Sequence, residues 1–228
     1  MVFFGGAGVS TESGIPDFRS AQGLYSQDTG TQYPPEVVLS HSFLRSHPSE
    51  FFAYYRAHLL YPDAQPNPAH RALARLEERG ILTAVITQNI DNLHQAAGSQ
   101  EVIELHGSAK RNYCVDCGRP YDMEFVLKSV DLPTCTKCGG LVRPDVVLYE
   151  EALDTSVMAK ARLHLHYADT LIVGGTSLSV FPAAGLIDLF AGKNLVLINK
   201  DPSPADRLAT VAIHAPIGEV FQAVLDEQ

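Results

Sequence analysis

The chain has 228 residues, of which 46% are hydrophobic and 19% charged, and its mean hydropathy is zero. At roughly 150 residues per domain, this length is too great for one minimal domain and too small for two full ones. The 17 basic and 26 acidic side chains give a net charge of −9, which argues against non-specific nucleic-acid binding because such binding needs Lys and Arg to neutralise phosphates.

The first predicted strand, Val2–Phe4, leads into a glycine-rich turn that runs from Gly5 to Gly14. Glycines at a strand-to-helix turn let the backbone approach a pyrophosphate bound at a helix N-terminus. The dinucleotide-binding fingerprint is incomplete, because Thr11 stands where its third glycine should be and no acidic residue ends a second strand about 20 positions later. The pattern therefore disfavours ordinary dehydrogenase chemistry, and a generic glycine turn stays open as an alternative.

Strands and helices alternate along most of the rest of the chain. Residues 20–66 break this pattern, with helical stretches predicted at 36–45 and 49–60. The further predicted strands are Thr83–Thr87, Val102–Leu105, Thr170–Val173, Leu195–Asn199 and Val211–His214. The further predicted helices run from the N-cap Asn67 and Pro68 to the stop at Gly80, over Thr155–His166, over Pro182–Ala191 and over Gly218–Asp226. Continuously apolar strands between helices predict an α/β fold with a doubly wound parallel, Rossmann-like sheet.

Four cysteines form two Cys-x-x-Cys pairs, Cys114 with Cys117 and Cys135 with Cys138, with 17 residues between the pairs. This spacing is typical of a four-cysteine zinc site, which is structural because no coordination position stays open. Two disulfides are an alternative that a cytoplasmic location disfavours. A thioredoxin-like redox motif is another, but it would need only one pair, at the start of a helix after a strand. We expect residues 110–143 to form a small zinc-ribbon module, and its balanced charges disfavour DNA binding.

Ordered motifs along the chain carry a resemblance to a known family. They are Gly6–Arg19, Thr87–His94, Leu105–Gly107, the two cysteine pairs, Arg143–Val147, Gly175–Leu178 and Ile198–Lys200. In this order they resemble the bacterial-type sirtuins over essentially the whole chain. The resemblance implies an NAD-dependent protein-lysine deacylase in which NAD and acyl-lysine meet between two domains. It predicts a discontinuous NAD-binding domain (1–19, 67–109 and 144–228), the zinc ribbon (110–143) and a helical insertion (20–66) that joins the small domain.

The resemblance also assigns residues to the cofactor. Ala7, Gly8 and Ser10 would hold the pyrophosphate, and Asp91 would accept from the nicotinamide carboxamide. The full implied NAD-binding set is Ala7, Gly8, Ser10, Thr11, Phe18, Arg19, Gln88, Asn89, Ile90, Asp91, His106, Gly175, Thr176, Ser177, Asn199, Lys200 and Ile217.

Two residues of that set are implied to be catalytic. His106 would act as general base on a ribose hydroxyl, since imidazole titrates near working pH, and Asn89 would orient a water or the ribose. The acyl group would pass to ADP-ribose, with nicotinamide and free lysine released. Protein mono-ADP-ribosyl transfer is the alternative, disfavoured because His106 is present. A catalytically idle NAD-sensing module is less favoured still.

Acyl-lysine peptides are the implied substrates, bound by strand addition between 146–149 and 179–181, with Val147, Tyr149 and Val180 as contacts. Glu150 stands where the family has glycine, so we expect a changed loop and some preference for basic flanking residues. Phe52 and Tyr55 align with the Tyr and Arg of sirtuins that remove succinyl or malonyl groups. Neither is a cation, so deacetylation is favoured over desuccinylation.

The location of the protein is predicted from what the sequence lacks. No apolar run approaches the roughly 20 residues that a membrane-spanning helix needs. The first residues lack the basic start and long apolar stretch of a signal peptide. We therefore expect a cytoplasmic protein that binds neither membrane nor nucleic acid directly.

Overall fold

A computed structural model describes residues 1–18, 20, 23–26, 32–178 and 183–226, and it confirms the α/β class. The strands are β1 (Val2–Gly5), β2 (Ala84–Thr87), β3 (Val102–Glu104), β4 (Gly107–Cys114), β5 (Pro120–Asp122), β6 (Val142–Val146), β7 (Thr170–Gly174), β8 (Asn194–Asn199) and β9 (Val211–His214). The α-helices are α1 (Pro35–Val38), α2 (His41–Ser46), α3 (Pro48–His58), α4 (Pro68–Glu78), α5 (Leu93–Ala96), α6 (Met123–Lys128), α7 (Thr155–Tyr167) and α8 (Ile217–Asp226). None of the helices in these ranges is both long and apolar enough to cross a bilayer.

Six parallel strands form the large sheet in the order β3-β2-β1-β7-β8-β9. β1 pairs with β2 on one side and with β7 on the other, so the strand order reverses direction between β1 and β7. In doubly wound sheets such a reversal leaves a crevice at the carboxyl ends of the strands, which is where ligands bind. The fold therefore places the ends of β1, β2, β7 and β8 around one candidate site.

Helices cover both faces of this sheet, and alternate residues of β1 face opposite sides. Phe4 packs on the side covered by α7, together with Leu165. Phe3 packs on the side covered by α4 and α8, together with Leu73 and Phe221. All four residues of β1 are buried, which explains its continuously apolar sequence.

The predicted helix boundaries hold where a strong cap is present. The Asn67 side chain accepts from the Ala69 and His70 amides at 3.0 and 3.4 Å at the start of α4, as the sequence predicts. The single helix expected over 36–45 is wrong, since Ser40 interrupts it and caps α2 by accepting from the Phe43 amide at 3.2 Å.

A second predicted helix is also different in the structure. The α-helix expected over Pro182–Ala191 is a 3₁₀ helix over Ala183–Leu189, and Pro182 lies outside the described residues. Gly185 lies inside this segment and lowers its α-helical propensity by about 1 kcal/mol relative to Ala.

The second sheet has three antiparallel strands in the order β5-β4-β6. Helices α1–α3 share one apolar cluster with residues that lie in or beside this sheet, among them Ala109 and Val126. Arg56 of α3 adds polar contacts, donating to the Ser129 hydroxyl at 3.0 Å and the Asp131 carbonyl at 2.9 Å. The division of the chain into the three units given above stays a prediction.

Candidate functional site at the carboxyl ends of the parallel strands

The loops after β1 and β7 touch each other through glycines. The Gly8 amide donates to the Gly175 carbonyl at 2.8 Å, and a Cβ on Gly8 would lie 2.8 Å from the Gly175 Cα. Gly175 also has a left-handed φ of 57°, which glycine adopts without steric penalty. Side chains are thus excluded from this contact, which leaves bare backbone at the crevice, as a pyrophosphate site requires.

The glycine turn does not lead into the α-helix that its pattern implies. Two short 3₁₀ turns follow instead, Ala7–Val9 and Thr11–Ser13. Gly14 ends the second turn with a φ of 84°, and Pro16 comes soon after, where a continuing helix would lose a hydrogen bond.

One hydrogen-bonded cluster joins Ser10, predicted to hold the pyrophosphate, to Asn89 and Asp91 of the predicted nicotinamide pocket. The Ser10 hydroxyl donates to Asp91 Oδ2 at 2.7 Å and accepts from Nδ2 of the Asn89 side chain at 3.0 Å. Asp91 Oδ1 accepts from the Leu93 backbone N–H at 2.8 Å. The loop after β1 and the loop after β2 are therefore joined at Asp91, which is half-buried.

His106 lies at the turn between β3 and β4 and contacts Gln88, the residue before Asn89 of this cluster. Its Nδ1 is 2.9 Å from the Gln88 carbonyl, and because a carbonyl only accepts, Nδ1 carries the proton and Nε2 has the free lone pair. Burial lowers the pKa of His106, while the Gln88 carbonyl opposes that shift. The imidazole is therefore neutral near pH 7, as a general base must be.

The loops after β7 and β8 carry the predicted adenosine-side residues. The Thr176 amide donates to Asn199 Oδ1 at 3.0 Å, and the Thr176 hydroxyl accepts from Gln88 Nε2 at 3.1 Å. Ser177 and Lys200 follow in the chain as exposed residues. The structure thus connects the predicted adenosine and nicotinamide halves through Thr176.

Ile217, the last residue of the predicted NAD-binding set, lies in the core and not on a loop at the strand ends. It begins α8, is buried in the core, and packs so closely on Gly174 that a Cβ there would lie 2.3 Å from its Cδ1. Its predicted cofactor contact stays a prediction.

The residues predicted to close over the cofactor are described in part. The Phe18 ring packs edge-on against Tyr25 with centroids 5.6 Å apart, and Phe18 and Ile90 both contact the apolar cluster of α1–α3. Thr11 is exposed and donates to the Gly8 carbonyl at 3.0 Å. Arg19 and Val180 lie outside the described residues.

The four cysteines come together as the spacing predicts. Their sulfurs all lie within 4.8 Å of one another, with Cys114 to Cys138 at 3.4 Å and Cys117 to Cys135 at 3.7 Å. All four are free thiols, so the disulfide alternative does not apply. A tetrahedral zinc ion with bonds of about 2.3 Å separates its sulfurs by about 3.8 Å, so this donor set fits zinc.

The predicted peptide segment after β6 is tied to its surroundings. The Val147 amide donates to the His106 carbonyl at 3.0 Å. Tyr149 donates its amide to the Leu39 carbonyl and accepts from the His41 amide, both at 3.0 Å. The Tyr149 main chain is thus already paired, so a peptide strand added here would use neighbouring main-chain groups. The Tyr149 hydroxyl also hydrogen bonds to the hydroxyl of Tyr25.

Glu150 adopts a backbone conformation that favours glycine. Its φ is 74°, in the left-handed region that favours glycine. Its carboxylate accepts from the Ser42 amide and hydroxyl, both at 2.9 Å. The predicted preference for basic flanking residues stays a prediction.

An ion-pair network that the sequence reasoning missed holds this segment in place. Glu151 accepts from Arg143 at 2.6 and 3.0 Å, from the Leu148 amide at 2.8 Å, and contacts His41 Nδ1 at 2.8 Å. Burial alone would raise the pKa of Glu151, but these hydrogen bonds outweigh it and lower the pKa to about 2. Arg143 is the first residue of the motif Arg143–Val147, and this is the sequence feature that could have pointed to the network.

The chain is similar to known proteins over most of its length. The model of the Sir2 family matches residues 6–182. The chain belongs to the Sir2 family. A Sir2 relative from Clostridium perfringens, named an NAD-dependent protein deacetylase, is 60% identical over 227 residues, which cover 99% of this chain and 93% of the relative.

Solved Sir2 structures are similar in fold and in sequence. A Sir2 variant with a deacetylated p53 peptide and 3′-O-acetyl-ADP-ribose has a TM-score of 0.90 and 40% identity, covering 99% of this chain and 92% of that one. A Sir2 complex with p53 peptide and NAD⁺ has a TM-score of 0.86 and 42% identity, with the same coverage of both chains. The two-sheet architecture described above is thus the Sir2 architecture.

Proposed function

We propose that this chain is an NAD-dependent protein-lysine deacetylase. The observation that carries the proposal is His106, a neutral imidazole with Nδ1 held by the Gln88 carbonyl, next to the Ser10–Asn89–Asp91 cluster in a Sir2-family chain. The overall reaction converts acyl-lysine, NAD and water into lysine, nicotinamide and O-acyl-ADP-ribose.

NAD would supply a ribose carbon whose bond to nicotinamide breaks as the acyl oxygen attacks. The bare backbone at Gly8 and Gly175 would hold the pyrophosphate, and Asp91 would accept from the nicotinamide carboxamide. His106 Nε2 would take a proton from a ribose hydroxyl, while Asn89 orients a water or the ribose. The fixed Nδ1 proton supports this assignment, because it leaves Nε2 as the only basic nitrogen of the ring.

Zinc would be held by Cys114, Cys117, Cys135 and Cys138 and would serve structure alone. Four thiolates fill a tetrahedral ion and leave no position for a substrate. The Tyr121 hydroxyl donates to Cys135 Sγ at 3.1 Å, and such outer hydrogen bonds orient metal ligands.

The substrates would be acyl-lysine proteins or peptides, laid beside the segment 146–149 by strand addition through main-chain groups other than those of Tyr149. Phe52 and Tyr55 are buried in the apolar cluster of α3, and neither offers a positive charge to a succinyl carboxylate. Acetyl and apolar acyl groups are therefore favoured. We also propose a cytoplasmic location, without direct binding to nucleic acid or membrane, in keeping with the net charge of −9.

The test is removal of the proposed base. His106→Tyr should lower the deacetylation rate by about 10²- to 10⁴-fold, the usual contribution of a positioned acid or base. NAD affinity measured by calorimetry should change only a few-fold. His166→Ala, at an exposed position of α7, is the matched control and should keep full activity. Turnover by His106→Tyr at the rate of the control would remove the proposal.

A further inference from the structure

Two histidines that the proposed chemistry does not use lie in contact behind the site. His70 of α4 and His94 of α5 are 0% and 1% exposed, and their ring centroids are 4.7 Å apart. His94 also packs on Phe3 of β1 at 6.0 Å. The pair therefore joins α4 and α5 to the central strand β1.

On one side, a chain of hydrogen bonds leads from His70 to Asp91. The Asn67 amide donates to His70 Nδ1 at 3.3 Å, and Asn67 Nδ2 donates to the Val9 carbonyl at 2.7 Å. The next residue, Ser10, donates its hydroxyl to Asp91 Oδ2 at 2.7 Å. His70 thus fixes the cap that anchors the loop carrying Ser10.

On the other side, His94 comes directly after Leu93, the residue whose backbone N–H binds the second oxygen of Asp91. Asp91 Oδ1 accepts from the Leu93 amide at 2.8 Å, and Leu93 is the residue before His94. Because His94 touches His70, these contacts form a closed ring of residues that includes Asp91. Both oxygens of Asp91 are held by groups that this histidine pair supports.

The nitrogen atoms of the pair have an unusual environment. His70 Nδ1 accepts a hydrogen bond, so its proton is on Nε2. That Nε2 and both nitrogens of His94 have no hydrogen-bond partner within the described part of the chain. Burial lowers the pKa of His70 to about 4, opposed by Asp91 and assisted by Arg71, and burial together with His70 lowers the pKa of His94 well below 6.5.

We propose that His70 and His94 are positioning residues that fix the Ser10 hydroxyl and the Leu93 amide, and through them the Asp91 carboxylate, for recognition of the nicotinamide carboxamide. An apolar side chain of similar size at position 70 would fill the same space but would remove the acceptor of the Asn67 backbone amide, one of the hydrogen bonds that hold the cap in place. This inference rests on the proposed function, since it takes nicotinamide as the group that Asp91 reads.

The experiment compares His70→Leu, His70→Asn and Leu73→Ala. Leu73 is a buried core residue of α4 outside the ring of contacts, so Leu73→Ala is the control for destabilisation alone. Calorimetry measures the Kd of NAD and of nicotinamide, and thermal unfolding measures Tm. His70→Leu should weaken both ligands about tenfold, and His70→Asn, whose side-chain oxygen can replace Nδ1 as acceptor, should restore them to within about threefold. Leu73→Ala should lower Tm and leave both Kd values within about twofold.

Equal Tm losses in His70→Leu and Leu73→Ala, with both Kd values unchanged, would show a merely structural histidine and overturn the inference. If His70→Leu does not fold, His70→Asn and His70→Gln decide, because glutamine carries its amide past the Nδ1 position. Asparagine near wild type with glutamine weakened supports the inference, and equal weakening overturns it. A wild-type protein that binds NAD without deacetylating any peptide would end the proposed function and leave this inference standing.

Discussion

His106 shows how one main-chain contact sets the chemistry of a side chain. The Gln88 carbonyl fixes its tautomer, and burial lowers the pKa from its ordinary value of 6.5. The sequence could place His106 in its motif, but neither the tautomer nor the burial is visible in sequence, since both depend on a loop 18 residues away.

This environment makes a prediction about pH. A base acts in its neutral form, so activity should be constant above the pKa and fall as pH drops through it. Because the pKa of His106 is lowered, the midpoint of the acid limb of kcat/KM for NAD should lie below pH 6.5. The measurement is kcat/KM at saturating acetyl-peptide from pH 5 to 8. An acid limb centred above pH 6.5 would contradict the assigned environment.

Glu150 is a residue whose contacts could not be predicted from the sequence. Glu150 stands where the family has glycine, and its φ is 74°, so a residue with a side chain occupies a left-handed backbone conformation. The two hydrogen bonds to Ser42 offset the roughly 1–2 kcal/mol that the left-handed conformation costs. That compensation depends on a helix start more than 100 residues earlier, so no local pattern reveals it.

Among the elements, the segment after β6 is held in place by Glu151 as well as by its own main-chain hydrogen bonds. Arg143, His41 and the Leu148 amide all converge on this carboxylate. The sequence predicted the six strands of the large sheet and the helix capped by Asn67 well, because apolar runs and this cap act locally. The sequence did not reveal this network, because its partners are distant in the chain. It did not reveal the break at Ser40 either, because the Ser40 cap overrides the helical propensity of the residues around it.

Glu151→Gln should lower the free energy of unfolding by about 2–3 kcal/mol at pH 7, as loss of hydrogen bonds to a partly buried charge does. The pKa of Glu151 is lowered from 4.5 to about 2 in the folded state, so its contribution is present above pH 4.5 and is lost as pH falls towards 2. Urea unfolding at several pH values should show the gap between variant and wild type shrinking below pH 4.5. Glu124→Gln, which breaks an exposed pair with Lys128, should have almost no effect, and equal effects of the two substitutions would refute the network's role.

At the scale of the whole molecule, the three-stranded sheet with the four cysteines comes between β3 and β7 of the large sheet along the chain. The cysteine spacing predicted that the four sulfurs come together, as they do. How α1–α3 pack on this sheet could not be predicted, because that apolar cluster collects residues from distant segments such as Phe51 and Leu148.

Removal of zinc should therefore destabilise the protein strongly. A structural zinc site can contribute several kcal/mol to folding, and a loss of about 3 kcal/mol lowers Tm by about 10 °C in a chain of this size. The measurement is Tm and elemental zinc content before and after a strong chelator, with zinc added back as control. One zinc per chain and a reversible fall in Tm are expected. Purified protein without bound metal and with an unchanged Tm would refute the site.

The central claim is that the acyl group of acyl-lysine passes to ADP-ribose. Mass spectrometry of the products from an acetyl-lysine peptide, a matched succinyl-lysine peptide and NAD tests it most directly. The account predicts nicotinamide, free lysine and O-acetyl-ADP-ribose in equal amounts from the acetyl peptide, with little product from the succinyl peptide. ADP-ribose attached to protein, with the acetyl-lysine left intact, would contradict it.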